Sequence, residues 1–210
     1  PFRLIGGEKA VKEPRRVALS LLFELFGEKA LALDNDTIRS FTNEELKNLY
    51  IAWSKGINSP YSSSVGRLFD AVASLLGIKQ RLSYEGQSAM MLEDLYDPSV
   101  KDHYSFELKG KYIDWRPMFY ELIKDKEKQK VPSRFINTLA RVCLEVALNV
   151  GIKKVCLSGG VMQNDPLVSK IKELLTKEGF EVYTHQRVPP NDGGLSLGQA
   201  VWSLMAYNVK

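Results

Sequence analysis

The chain has 210 residues, 44% of them hydrophobic and 26% charged, which is ordinary for a soluble globular protein of one domain or two small lobes. Its formal net charge of +4 is spread along the sequence, so composition predicts no nucleic-acid partner. No apolar stretch approaches the roughly 20 residues that span a bilayer, and no signal peptide is visible. We therefore predict a cytoplasmic protein without a membrane partner.

The two cysteines, Cys143 and Cys156, each lie in an apolar run and lack the spacing of a metal site. We expect both to be buried thiols in a reducing compartment rather than a disulfide. The chain begins with Pro1 instead of Met, and this suggests a piece of a longer protein.

The first part of the chain, residues 1–135, carries apolar residues at helical spacing. This spacing predicts helices that begin at Pro14, near Asn43, after the serines Ser62–Ser64 and at Ser88, the second ending at Gly56 and the third at Gly77. Residues 103–113 alternate as a β-hairpin does, and Asp114 is expected to cap the helix that follows. A longer helix is predicted from Pro132 to about Val150.

The second part, residues 136–210, changes to an alternation of strands and helices. The predicted elements are the strand Lys154–Leu157, the helix Leu167–Glu178, the strand Glu181–His185 and the helix Leu195–Met205. Such alternation is typical of a parallel sheet covered by helices. We therefore predict an α/β fold whose N-terminal portion is mainly helical.

Two glycine-bearing turns follow the two predicted strands. Ser158, Gly159 and Gly160 lead from a strand into a helix, an arrangement that lets backbone N–H groups approach a phosphate. In the second turn Asp192 stands before two more glycines and another apolar helix. Because the carboxyl ends of parallel strands face one cleft, the two turns predict a nucleotide site with Asp192 as a possible metal ligand.

Four motifs of this sequence, in this order, resemble those of the HypF carbamoyltransferases. They are Gly66–Ile78 (GRLFDAVASLLGI), Ser83–Gln87 (SYEGQ), Ser158–Asn164 (SGGVMQN) and Pro190–Gln199 (PNDGGLSLGQ). The resemblance extends over essentially the whole chain, which matches the C-terminal half of the family's last domain. That domain resembles the TsaD family and, more distantly, the actin-like ATPases and sugar kinases. The implied fold is an actin-like, ribonuclease H-like lobe.

The resemblance also implies a chemistry. HypF enzymes convert carbamoyl phosphate and ATP into carbamoyl adenylate and pass the carbamoyl group to a C-terminal cysteine of HypE. The expected nucleotide is therefore ATP, bound as carbamoyl adenylate. The expected partners are a HypE-type acceptor protein and the rest of the HypF chain.

The resemblance assigns site residues as well, though no catalytic residue. Asp70 and Gly86 match residues that hold the ribose, and Asp192 matches a metal ligand. The implied nucleotide-binding residues are Asp70, Glu85, Gly86, Ser158, Gly159, Gly160 and Asn164. The family's metal site also needs two histidines spaced H-x-x-x-H, which this sequence lacks. We therefore predict an incomplete site for a divalent metal, and weak or absent metal binding.

Each of these residues has a plainer interpretation from the sequence alone. Asp70 can be a surface or capping residue, and Ser158 and Asn164 can be turn and cap residues. Arg67 is predicted to be solvated, and both histidines, His103 and His185, to be structural or surface residues.

Two other functions are compatible with the same motifs. One is a carbamoyltransferase of the same fold with a small-molecule acceptor, because the SYEGQ motif is shared with such relatives. The other is a non-catalytic lobe that docks a partner through its helical face. As a lobe of a HypF-type carbamoyltransferase, the fragment alone is expected to fold but to complete no catalytic cycle.

Overall fold

The computed structural model describes residues 1–207 and divides the chain into two compact units, Pro1–Phe135 and the residues from Ile136 onward. Both units combine helices with two-stranded sheets, and helix is much the commoner element. The predicted α/β class, with a largely helical N-terminal portion, is confirmed.

The first unit is a helical assembly with two short antiparallel sheets. Its helices are α1 (Glu8–Lys12), α2 (Pro14–Phe26), α3 (Asp36–Arg39), α4 (Asn43–Ser54), α5 (Val65–Leu75), α6 (Gln87–Glu93), α7 (Arg116–Lys124) and the start of α8 (Val131–Val150). Its strands are β1 (Phe2–Arg3) paired with β2 (Tyr61–Ser62), and β3 (Glu107–Lys109) paired with β4 (Tyr112–Asp114).

Helix α2 lies at the centre of this unit because almost its whole circumference is apolar. Pro14 begins it with a preset backbone angle, and its side chains Leu19, Leu21, Leu22 and Phe23 are almost inaccessible to solvent. It packs on α5 and contributes Leu19, Leu22 and Phe23 to a core shared with α3 and α4. Full burial of each such side chain stabilises the fold by roughly 1.5–3 kcal/mol.

A series of edge-to-face aromatic rings continues this core toward α7 and α8. Trp115 contacts Phe2 at 6.1 Å and Phe119 at 5.6 Å between ring centroids. Phe135 in turn contacts Phe119 at 6.4 Å and Phe69 at 4.9 Å. Rings at these distances and angles attract each other beyond the effect of burial alone, so this side of the unit is rigidly packed.

Two helices begin where the sequence predicted them, and their starts show which side chains bind the backbone. Ser64 is the N-cap of α5 but its side chain accepts no bond from the helix; the Ser62 hydroxyl instead accepts from the Ser64 backbone N–H at 3.1 Å. Asp114 stands one residue before the N-cap of α7, where it accepts a hydrogen bond from the Arg116 backbone N–H at 3.1 Å. The Ser62 hydroxyl and the Asp114 carboxylate thus both accept hydrogen bonds from backbone N–H groups at the start of a helix.

The second unit contains the rest of α8, the parallel strands β5 (Lys154–Leu157) and β6 (Glu181–Thr184), and the helices α9 (Asp165–Lys177) and α10 (Leu195–Tyr207). The strands pair in register from Lys154 with Glu181 to Leu157 with Thr184. Helix α9 packs on β6 and buries Leu167, Ile171 and Leu175.

Burial along β5 alternates, and this corrects one prediction. Leu157 is buried and Val155 half-buried, whereas Cys156, expected to be a buried thiol, is exposed. Neighbouring side chains of a strand point to opposite faces of the sheet, and among residues 1–207 only one face of β5 is covered. Cys143 is half-buried, and its burial raises the pKa of the thiol to about 11.

Helix α10 is apolar around its circumference, yet none of its residues is buried. Its Trp202 side chain is 75% exposed and its Leu204 side chain 66%. Exposed apolar surface of this kind is typical of sites where proteins contact another structure. Within residues 1–207, no helix combines the length and the apolar character needed to cross a membrane.

Candidate functional site

A cavity of about 500 Å³ opens in the second unit where β5 and β6 end. Ser158, Gly159, His185, Asn191 and Asp192 are among the residues that line it. The first two follow β5 and the third follows β6, so the carboxyl edge of the sheet forms one wall. The two glycine turns that the sequence singled out therefore converge, as the topology of a parallel sheet requires.

Hydrogen bonds hold the two turns against each other. The Gly159 N–H donates to the Pro190 carbonyl at 2.7 Å, and the Asn191 side-chain amide donates to the Gln163 Oε1 at 3.1 Å. Gly159 has a φ of +103°, a backbone conformation that residues with a Cβ rarely adopt. Glycine is needed here because of its backbone angle, since nothing lies within 4 Å of where a Cβ would be.

Gly160 and Asn164 are positioned by the same turn. A Cβ at Gly160 would lie 4.0 Å from the Asn191 Cβ, so Gly160 faces the second turn. Asn164 is buried, and its Oδ1 accepts a hydrogen bond from the Leu167 backbone N–H at 3.0 Å, which caps α9. Asn164 thus has a structural role of its own and is not among the residues that line the cavity.

His185 is exposed, as the sequence predicted, but it lies in the cavity and contacts a predicted site residue. Its Nε2 atom is 3.0 Å from the Ser158 Oγ. The signal for this contact was present in the sequence. Ser158 and His185 each come directly after neighbouring parallel strands, and paired strands place such residues side by side.

Asp192, for which the resemblance implies a role as a metal ligand, is exposed and lines the same cavity. Across residues 1–207, no group of three or more His, Cys, Asp or Glu side chains is arranged to hold a metal ion. One carboxylate does not make a metal site, because divalent cations take several oxygen or nitrogen ligands. The residues described do not fit a complete metal centre.

In the first unit, Asp70 on α5 is 2% exposed and faces Arg67 one turn earlier on the same helix. The Arg67 Nη1 lies 2.8 Å from the Asp70 Oδ2 and also donates to the Val11 carbonyl at 3.1 Å. The guanidinium N–H is not aimed at the Asp70 Oδ2, which accepts no well-aligned hydrogen bond. Arg67 is therefore buried and paired, and the prediction that it is solvated is wrong.

The electrostatics around Asp70 are unusual for an aspartate. Burial raises the pKa of its carboxyl to about 6, while the Arg67 charge and the nearby Ser88 hydroxyl lower the pKa and the Glu85 charge raises it further. Ser88 is fully buried, and its Oγ also lacks a well-aligned partner. The Asp70 Oδ2 thus lies beside the Arg67 guanidinium and near the Ser88 hydroxyl, yet neither it nor the Ser88 Oγ makes a well-aligned hydrogen bond, which is rare for buried polar atoms.

The SYEGQ segment forms the turn that leads into α6. The Ser83 backbone N–H donates to the Gln87 Oε1 at 2.9 Å, and Gly86, the N-cap of α6, has a left-handed φ of +82°. Glu85 is exposed, and its charge acts on the Asp70 carboxyl. Asp70, Glu85 and Gly86 therefore belong to one neighbourhood in the first unit, whereas the glycine turns belong to the second.

The sequence match to a known family is extensive. Residues 1–199 match the family described as "Carbamoyltransferase, Kae1-like Domain, second subdomain". The carbamoyltransferase HypF of Synechocystis sp. is 35% identical, with 98% of this chain and 29% of that protein covered. The carbamoyltransferase HypF of Rhodobacter capsulatus is 39% identical, with 96% and 27% covered. The chain thus spans less than a third of the length of these relatives.

Solved structures give the same result for the fold. A full-length HypF in its phosphate- and nucleotide-bound form superposes with a TM-score of 0.86 at 36% identity, over 96% of this chain and 28% of that one. The HypF of T. kodakarensis superposes with a TM-score of 0.80 at 26% identity, over 95% and 28%. The motifs, the family match and the fold agree: the chain belongs to the HypF carbamoyltransferase family and corresponds to the second subdomain of its Kae1-like domain.

Proposed function

We propose that this chain is part of a carbamoyltransferase that uses carbamoyl phosphate and ATP, through carbamoyl adenylate, to carbamoylate the C-terminal cysteine of a HypE-type acceptor. The observation that carries this proposal is the cavity at the carboxyl edge of β5 and β6. It combines a glycine turn, the Ser158 hydroxyl and the Asp192 carboxylate in the place where α/β proteins bind nucleotides.

The nucleotide role of the second unit is supported by the backbone geometry. The left-handed Gly159 leads into a 3-10 turn over Gly160–Gln163, so the chain approaches the cavity without intervening side chains. The Gly159 N–H already donates to the Pro190 carbonyl, so we propose that the N–H groups of Gly160 and Val161, which follow it, approach the phosphate oxygens. Asp192 would contribute one ligand to a divalent cation, and other parts of the protein would supply the remaining ligands.

The ribose role of the first unit is supported by the unsatisfied polar atoms around Asp70. Two ribose hydroxyls offer the donors that a carboxylate oxygen needs and an acceptor for the Ser88 hydroxyl. The positive charge of Arg67 lies beside the carboxylate and offsets part of the free-energy cost of burying the Asp70 charge. We propose that Asp70, with the turn at Glu85 and Gly86, contacts the ribose of the adenylate.

The exposed helix α10 supports the proposal that the rest of a HypF chain is a partner. Residues 1–207 do not bury the apolar side chains of this helix, which include Leu197, Trp202 and Leu204. The relatives are much longer than this chain, and its family match is to a second subdomain. We propose that the first subdomain covers α10 and completes the nucleotide cleft, so that the isolated chain has no activity.

The test uses the full-length protein with radiolabelled carbamoyl phosphate, ATP and a HypE-type acceptor. We expect label on the acceptor, and none when its C-terminal cysteine is replaced by alanine. Asp70→Asn and Asp192→Asn should each lower the transfer, whereas the exposed Glu44→Gln on α4 should not. Adenylate formation without any label on the acceptor would contradict the proposal, and label on an added hydroxylated small molecule would favour that class of acceptor instead.

A further inference from the structure

His185 has no role in the function proposed above, yet it stands inside the proposed nucleotide cavity. The parallel register brings Leu157 opposite Thr184, so the next residues, Ser158 and His185, leave the sheet side by side. The Nε2 of His185 lies 3.0 Å from the Oγ of Ser158, and both residues line the cavity. The contact between Ser158 and His185 therefore follows from the register of β5 and β6.

Other polar groups of the cavity wall already hold the two turns together. The Gly159 N–H donates to the Pro190 carbonyl, and the Asn191 side chain both donates to Gln163 and accepts from the Gly193 N–H at 3.0 Å. Within residues 1–207, the Ser158 hydroxyl and the His185 imidazole bond to each other and make no such bond to a turn backbone. They are an exposed hydroxyl and an exposed imidazole in hydrogen-bond contact, at a site where group transfer is proposed.

Transfer of a carbamoyl group to a thiol requires that the thiol lose its proton. Histidine is the side chain that most often accepts a proton in such steps near neutral pH. A hydroxyl between the reacting group and the imidazole can pass the proton on, because it donates its own proton while it accepts another. Of the two histidines in the chain, His185 lines this cavity.

We propose that Ser158 and His185 form a proton relay for the transfer step, a role that rests on the proposed function. The acceptor sulfur forms a bond to the carbamoyl carbon, and the bond from that carbon to the adenylate phosphate oxygen breaks. AMP leaves with the electron pair. The Ser158 hydroxyl takes the thiol proton as its own proton passes to the Nε2 of His185. Ser158 touches the reacting group, and His185 acts through it as a positioning residue and final proton acceptor.

The test compares wild type, His185→Gln, His185→Ala and the matched control His103→Gln in the full-length protein. His103 is the second histidine; it is exposed in the first unit, where its Nδ1 contacts the Tyr104 carbonyl. We expect His185→Gln to lower transfer to the acceptor thiol by about 100-fold, the usual scale of a lost proton acceptor. Adenylate formation and nucleotide affinity should not change, and His103→Gln should behave as wild type.

Two further measurements separate a relay from a structural contact. Added imidazole should restore part of the transfer in His185→Ala, which it would not do if the variant had only lost packing. In a Ser158→Ala background, His185→Gln should have little further effect, because both changes break the same relay. Wild-type transfer in His185→Gln, or equal losses of transfer and nucleotide affinity, would overturn the relay. Failure of the wild type itself to label the acceptor would instead contradict the proposed function.

Discussion

The two units of the chain differ in how far they bury their most apolar helices. In the first, α2 is enclosed by α3, α4 and α5, and Leu22 is 0% exposed. In the second, α10 is at least as apolar but has no buried residue. The first unit therefore encloses its central helix, whereas the second buries Leu167, Ile171 and Leu175 of α9 but leaves the apolar side chains of α10 in solvent.

Matched leucine truncations give the largest expected contrast between the units. Leu22→Ala on α2 should lower the free energy of unfolding by about 2–5 kcal/mol, because it leaves a cavity in a closed core. Leu204→Ala on α10 should change it by no more than about 0.5 kcal/mol, because that side chain is already in water. Urea unfolding of the 210-residue chain measures both. Equal costs would mean that α10 is packed in solution, and the contrast would be wrong.

The pH dependence of stability is a second way to test the comparison, because the first unit contains a buried aspartate, Asp70, whose carboxyl has a raised pKa. The folded pKa of Asp70 is about 6 against an ordinary 3.8, so below pH 4 both the folded and unfolded states hold its proton. As the pH rises from 4 through 6 the unfolded state loses that proton first, and the folded state loses relative stability.

We therefore expect Asp70→Asn to gain stability relative to wild type by up to about 3 kcal/mol between pH 4 and pH 7. Urea unfolding at several pH values gives this difference, and the exposed Glu44→Gln serves as the control that should show no such trend. An NMR titration of the Asp70 carboxyl with a midpoint near 4 would contradict the expectation.

Helix caps give the smallest expected effect and exist in both units. Thr42 and Glu45 form a reciprocal capping box on α4, and Asn164 caps α9. Thr42→Ala and Asn164→Ala should each cost about 1 kcal/mol, the buried Asn164 somewhat more. Asn164→Ser keeps a capping oxygen and should restore most of that stability. If nucleotide affinity still falls in Asn164→Ser, the Asn164 amide contacts the nucleotide. If the affinity is unchanged, the role of Asn164 is to cap α9.

Much of the fold was predictable because long amphipathic patterns and glycine stops are local signals. The bounds of β5 and the extents of α2, α4 and α8 follow the predictions closely. The pairing of β1 with β2 was not predicted, because each strand has two residues and the partners are far apart in sequence. Two residues carry no periodicity, so only tertiary packing could define this sheet.

The candidate site was predictable to the same extent. The convergence of Ser158, Gly159 and Asp192 follows from the rule that parallel strands end at one edge. The role of Arg67 was missed although its spacing to Asp70 is that of neighbours on a helix face, since the sequence does not show that this face is buried. Ser88 and its unsatisfied hydroxyl depend on how α6 packs against α5, and no local pattern contains that information.

The register of β5 with β6 also limits how this part of the chain can change in length during evolution. A one-residue insertion between Glu181 and His185 would turn every following side chain to the other face of the sheet and carry His185 away from Ser158. Insertions near Glu178 and Gly179, where α9 has ended, would leave the pairing of the strands intact. Natural variants of this lobe should therefore gain and lose residues at the end of α9 and keep a fixed spacing from Glu181 to His185.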